Sequence, residues 1–205
     1  MMFQHPFTCL ISGPTQSGKT YFVLELLRNL DKMFLPVPTK VIWCHGESQE
    51  KHKELPSNVI LSEGLEGLKE IDPKVKNLLI LDDLMHETGS SDEVAELFTK
   101  GSHHRNLSVI MIVQNIFHKS KIIRTVSLNS HYIILFKNPR DAGQIQTLAQ
   151  QLFPGKTKYL IDAYKQATSR PHGYLVLDLT QSTLEKHRVL SNILPGEEGF
   201  YYIPK

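Results

Sequence analysis

Eight consecutive residues, Gly13-Pro14-Thr15-Gln16-Ser17-Gly18-Lys19-Thr20, satisfy the spacing glycine, four free positions, glycine, lysine, serine or threonine. Residues of these types at this spacing cradle phosphate. Gly13 and Gly18 let the backbone wrap so that its N–H groups converge on an anion, and the start of a following helix adds its dipole. Lys19 brings a cation to the β- and γ-phosphates, and the Thr20 hydroxyl is a ligand for Mg²⁺. Gly13 to Thr20, with Tyr21 after them, are therefore the expected nucleotide-binding residues, and ATP with Mg²⁺ is the expected cofactor.

Two further clusters carry matching chemistry. Leu78-Leu79-Ile80-Leu81 runs into Asp82-Asp83, four aliphatics ending in two carboxylates. Carboxylates at the carboxyl end of a buried strand emerge where open α/β sheets bind ligands. Asp82 is assigned to the Mg²⁺ shell and Asp83 to polarising the attacking water, with Glu87 as the alternative base. Leu107–Val113 ends in Gln114-Asn115, and an amide at such a tip can report on the γ-phosphate or the lytic water; Gln114 is the stronger candidate. Arg105, just before that apolar run, could reach a neighbouring subunit's nucleotide as a finger. The adjacent His103 and His104 are poorly spaced to share a metal. His118-Lys119-Ser120-Lys121 and Arg124 form the densest basic stretch, and Lys119, Lys121 and Arg124 are the candidates for contact with a nucleic-acid backbone.

These residues need a scaffold that brings strand ends together, and the apolar pattern supplies one. Short apolar runs alternate with amphipathic stretches, the mark of an α/β sheet protein. Strands are predicted at 7–12, 41–44, 59–61, 77–81, 107–113, 132–136 and 174–177, and helices at 21–30, 93–100, 140–152 and 157–167. The unbroken aliphatics of 78–81 imply a strand buried on both faces, as in parallel sheets. The expectation is a mainly parallel sheet with helices on both faces. Glu47–Ser57 reads as a polar surface loop. The stretches 153–156 and 170–173 read as turns.

Composition narrows the class. The chain has 205 residues, of which 40% are hydrophobic and 21% charged, with no biased tract. This excludes disordered, collagenous and coiled-coil classes. One domain over 1–205 is expected, with a core at about 7–178 and an extension at about 179–205. A net charge of +2 argues against a DNA-coating surface and leaves room for a few local contacts. Cys9 and Cys44 show no metal or CxxC spacing and read as reduced, buried thiols. No apolar stretch approaches the ~18 residues of a membrane span, and the N-terminus has no secretory pattern. An intracellular protein without a membrane partner is expected.

With GPTQSGKT, LLILDDLM and FTKGSHHRNLSVIMIVQNIF in hand, the sequence resembles the FtsK/HerA-type P-loop ATPases. Within them it is most similar to the viral genome-packaging ATPases of poxviruses and of polinton- or adinto-like DNA viruses. The likeness runs from about Phe7 to about Asp178. It implies a RecA-like P-loop NTPase core, a homo-oligomeric ring of five or six subunits, and ATP-driven movement of double-stranded DNA into a capsid. It also implies a capsid vertex or portal partner, and a place in the host nucleus or at the viral assembly site. By the same match Lys19 and Thr20 are nucleotide ligands, Asp82 and Asp83 the acidic pair, Gln114 the sensor and Arg105 the finger. An aspartate at Asp83 departs from the glutamate of cellular members and suits the viral ones. Two other readings stand beside this one. A small-molecule kinase would use Arg124, Arg140 and Arg170 as a phosphate clamp. A nucleotide-gated capsid-docking module would turn over slowly or not at all.

Overall fold

The computed structural model describes residues 1–46, 50–84, 91–101, 106–116, 121–140 and 143–204. A short parallel pair, β1 (Phe3–Gln4) and β3 (Phe34–Leu35), stands beside a nine-stranded sheet. In chain order the sheet strands are β2 (Thr8–Ser12), β4 (Lys40–His45), β5 (Val59–Glu63), β6 (Asn77–Asp82), β7 (Leu107–Val113), β8 (Tyr132–Phe136), β9 (Tyr174–Asp178), β10 (Val189–Ser191) and β11 (Phe200–Tyr201). Their spatial order is β11-β10-β9-β8-β2-β7-β6-β4-β5. All neighbours from β8 to β5 are parallel, while β9, β10 and β11 are added antiparallel at one edge.

The helices are α1 (Lys19–Arg28), α2 (Leu30–Met33), α3 (Ser91–Glu96), α4 (Lys121–Leu128), α5 (Gly143–Leu152) and α6 (Thr157–Ala167). α3 continues into a wider helical turn at Leu97–Gly101. Alternating side chains of the central strands feed two separate cores. Cys9, Ile11, Leu78, Ile80, Ile110 and Ile112 pack with Phe22, Val23, Leu26 and Leu27 of α1. Leu10, Leu79, Leu81, Val109, Met111 and Val113 pack with Val94, Ile123, Val126, Leu148 and Leu160 from α3 to α6. Strands buried on both faces read as unbroken aliphatics for this reason, and the α/β RecA-like class expected from the sequence is the one observed.

Three regions differ from expectation in detail. The stretch beyond Asp178 adds β10 and β11 to the sheet, so the sheet runs past the expected core boundary. The basic stretch after Ser120 opens α4, which buries Ile123 and Val126. The polar stretch before Ser57 contains a 3₁₀ turn, Glu50–Glu54, with a buried His52. Cys9 and Cys44 are buried and free. Burial pushes both thiols up, that of Cys44 to about 11. No helix among the described residues is long and apolar enough to cross a membrane.

Buried imidazoles give the fold a pH dependence. The half-buried His5 is hydrogen-bonded through Nδ1 to Ser108 Oγ (2.6 Å) and through Nε2 to Asn106 Oδ1 (2.8 Å). Burial holds its pKa below 6.5, Lys76 lowers it further, and the Asn106 bond only partly opposes them. His52 is lowered too, by burial and then by His45. The unfolded chain therefore takes up these protons first, and its greater proton uptake draws the equilibrium toward it. Stability should be complete above pH 6.5, decline as pH falls from 6.5 toward the lowered folded values, and level off below them. Melting at pH 7.5 and 5.5 should show a lower Tm at the acid value, with a smaller drop in His5→Gln. An equal or higher Tm at pH 5.5 contradicts this account.

Candidate nucleotide site

The site begins where parallel strands end. β2 stops at Ser12, beside Val113 of β7, and the Gly13 N–H donates to the Val113 carbonyl at 3.3 Å. The chain then turns back into α1. Gly13 has no room for a side chain, because a Cβ there would lie 2.7 Å from Phe136 Cβ and 2.8 Å from Ser17 Oγ. Gly18 has φ +108°, a backbone that L side chains rarely adopt, and it precedes Lys19, the first residue of α1. Both glycines of the motif thus answer a geometric demand. The Ser17 N–H donates to the Pro14 carbonyl (3.2 Å) and the Phe22 N–H to the Gly18 carbonyl (2.9 Å), closing the loop onto the helix.

Lys19 is only 8% exposed, and its Nζ donates to the carbonyls of Gly13 (2.6 Å) and Pro14 (2.9 Å). The ammonium is therefore folded over the loop that it would share with phosphate. A cavity of about 250 Å³ opens beside it, lined by Thr15, Gln16, Lys19, Thr20, Asp82, Asp83 and Gln114 with Ile112 and Val113. Sheet order explains the convergence. β7 lies between β2 and β6, so Gln114 emerges between the loop after β2 and the carboxylates after β6.

The two carboxylates differ in setting. Asp82 ends β6 and is 4% exposed, whereas Asp83 is exposed with φ +52°. Aspartate tolerates this left-handed backbone better than most residues, and the strain is of order 1 kcal/mol. The turn aims Asp83 at Gln114, whose Nε2 donates to Asp83 Oδ2 at 3.1 Å. The cavity therefore joins an ammonium, a hydroxyl, a buried carboxylate and an exposed carboxylate held by an amide.

Mg²⁺ suits this donor set. Mg²⁺ takes oxygen ligands and is usually held by one or two carboxylates together with substrate phosphates. Thr20 and Asp82 supply those oxygens beside the loop. Among the described residues no group of three or more His, Cys, Asp and Glu could hold a metal alone, so the phosphates would complete the shell. His52 Nε2 lies 3.8 Å from Asp82 Oδ2, and its ring is 4.6 Å from that of His45. Burial, and then His45, lower the His52 pKa.

The structure brings Thr15, Gln16, Lys19, Thr20, Asp82, Asp83 and Gln114 together at one cavity. Tyr21 faces a different one, next to Gly18. Arg124 is exposed on α4, and Lys121 is the first residue of that helix. Arg105, Glu87, His103, His104, His118 and Lys119 lie outside the described residues. Sequence reasoning missed His45 and His52, because the chain gives no local sign that the Glu50–Glu54 turn brings His52 to Asp82. It read 170–173 as a turn but did not bring that turn to the phosphate loop, where His172 Nδ1 donates to the Ser17 carbonyl at 3.1 Å.

Neither a protein-family model nor a curated protein matches the sequence. Solved structures do match the fold. The genome packaging NTPase B204 from Sulfolobus turreted icosahedral virus 2, in complex with AMPPCP, gives a TM-score of 0.59 at 13% identity, covering 98% of each chain. Its complex with AMP gives 0.59 at 13% identity, covering 89% of this chain and 97% of that one. EssC (ATPases 2 and 3) from Geobacillus thermodenitrificans gives 0.54 at 18% identity, covering 98% of this chain and 37% of that one. At such identities the likeness is one of fold.

Proposed function

We propose that this chain is a P-loop ATPase of the FtsK/HerA type that moves double-stranded DNA into a viral capsid, hydrolysing ATP between copies of itself in a ring. The observation that carries the reading is the cavity in which Lys19, Thr20, Asp82 and the Asp83–Gln114 pair meet. Each part has a task in phosphoryl transfer to water. The loop and Lys19 bind the phosphates, Thr20 and Asp82 hold Mg²⁺, Asp83 orients the attacking water, and Gln114 links that carboxylate to the γ-phosphate. The fold shared with a viral packaging NTPase and the HRNLS block before β7 add support for the viral branch. Arg105 serves as a finger to the neighbouring subunit, and Lys119, Lys121 and Arg124 touch the DNA backbone.

A kinase reading is less well supported. Arg124 and Arg140 are exposed on α4 and on the loop after β8. The Arg170 guanidinium pairs with Glu197 at 2.9 Å beside the other cavity. No arginine lines the Lys19 cavity among the described residues.

The test is the ATPase rate with and without long linear duplex DNA, alongside the mass of the assembly with an ATP analogue. A several-fold rise with DNA and a closed ring are expected. Stimulation by a nucleoside or metabolite instead of DNA would mark a kinase. Mixing Arg105→Ala with Lys19→Ala subunits should restore hydrolysis at mixed interfaces. No recovery there removes the trans finger.

A further inference from the structure

Several separate ties fix the turn between α6 and β9. Gly173 passes so close to the end of α6 that a Cβ there would lie 2.3 Å from the Ala167 carbonyl oxygen. Its N–H donates to the Arg170 carbonyl at 3.1 Å, and the buried Thr168 hydroxyl donates to the Tyr164 carbonyl at 2.7 Å. Arg170 Nη2 donates to Glu197 Oε1 (2.9 Å) and to Asn192 Oδ1 (2.5 Å), which fastens the turn to the segment after β10. His172 sits in this turn with φ +58°, a left-handed backbone that non-glycine residues keep only where their surroundings impose it.

The turn lays an imidazole on the phosphate loop. His172 Nδ1 reaches the Ser17 carbonyl across 155 positions of chain, at 3.1 Å. A carbonyl only accepts, so the proton of this bond is on Nδ1. Gly18 makes the approach possible, because a Cβ there would lie 3.2 Å from His172 Nδ1 and 3.3 Å from His172 Cβ. The second glycine of the motif thus serves its own φ and also leaves room for the ring. His172 and Gly18 line a cavity of about 240 Å³ that shares no lining residue with the Lys19 cavity.

A trans peptide points its C=O and its N–H in opposite directions. The Ser17–Gly18 peptide is trans, so a bond that holds the Ser17 carbonyl also sets the Gly18 N–H, aiming it away from His172. Loops of this kind bind anions through successive backbone N–H groups. Glycine has the least restrained backbone of any residue, so a peptide ending at Gly18 gains most from such a tie. A donor on the carbonyl also polarises the peptide and strengthens the bond that its N–H makes. His172 therefore acts on a phosphate donor without touching phosphate.

Resting on the nucleotide-site reading above, we propose that His172 is a positioning residue for the phosphate loop, aiming the Gly18 N–H at the bound phosphates through the Ser17 carbonyl. The strands beyond the expected core boundary then take part in phosphate binding, because the turn that carries His172 is fastened to residues 192–197. The effect has a natural limit. Water can replace the imidazole on that carbonyl, so losing His172 costs the orientation and about one net hydrogen bond.

The experiment is calorimetric titration of ATP and of inorganic tripolyphosphate, each with Mg²⁺, into the full chain and its His172→Gly and His172→Asn variants. Glycine accepts φ +58° without strain and removes the donor. Asparagine also tolerates this backbone and places an amide N–H near the position of Nδ1. His172 is exposed, so both variants should fold, which a melting curve checks. His172→Gly should weaken both ligands alike, by ~3–10-fold, while His172→Asn stays within ~2-fold of wild type, as expected for one net hydrogen bond. Recovery with asparagine is the readout that a ring acting by packing alone would not give. ATP weakened with tripolyphosphate unchanged means that His172 meets the base or sugar, and it overturns the proposal. So does a His172→Gly variant that binds both ligands like wild type, or a His172→Asn variant as weak as His172→Gly. If neither ligand binds the wild type, the phosphate-loop reading is lost and this inference with it.

Discussion

Replacing Lys19 by alanine is expected to lower the rate of ATP hydrolysis at least ~10²-fold, the scale of losing one preorganised transition-state contact. The reason lies in where the ammonium is. Its Nζ is buried and donates to the carbonyls of Gly13 and Pro14. Phosphate oxygens are charged acceptors, and such hydrogen bonds are roughly twice as strong as neutral ones. The lysine should therefore exchange carbonyls for phosphate when nucleotide enters. Alanine removes the cation and leaves the phosphate charge balanced only by backbone N–H groups and Mg²⁺. Steady-state hydrolysis and nucleotide titration, with a melting curve to show intact folding, measure the effect. A Lys19→Ala variant with hydrolysis within ~3-fold of wild type would sink the assignment, since the loss expected is of the order 10².

How much of this could be read from the sequence follows from the range of the forces involved. The phosphate loop was legible because its demands are local. Gly13 is fixed by contacts from Phe136 and Ser17, Gly18 by its own φ, and Lys19 by the next residue position. The central strands were legible because burial on both faces imposes unbroken aliphatics, as at 78–81. The two-residue strands β1, β3 and β11 were not, because two residues carry no period. α4 was hidden by its basic residues Lys121 and Arg124, although Ile123 and Val126 have helical spacing. The partnerships of Arg170 with Glu197 and of His52 with Asp82 span 27 and 30 positions, and nothing in either residue's neighbourhood announces them. The sequence pointed to residues that meet at one cavity, and tertiary packing decided what stands around them.

Asp83→Asn should produce the second large effect, a fall in kcat of ~10²–10⁴ with nucleotide affinity changed less than ~3-fold, the range expected for a group that handles the proton of the attacking water. Asparagine fits the same left-handed backbone at φ +52° and keeps the side-chain size, so the turn should survive. The chemistry should not survive. Asp83 Oδ2 accepts from Gln114 Nε2 at 3.1 Å, and an amide at position 83 can still accept that bond but no longer attracts a proton. Binding should be spared because Lys19, Thr20 and the buried Asp82 are untouched. Asp82→Asn should do the converse, raising the Mg²⁺ concentration needed for half-maximal activity. The two variants thus separate a motor from a nucleotide-gated docking module. A docking module would keep its activity in Asp83→Asn, because a switch needs occupancy and not turnover. If Asp83→Asn hydrolyses ATP within ~3-fold of wild type, a loss far below that of a removed general base, Asp83 is not the base. Glu87 is then the residue to replace next.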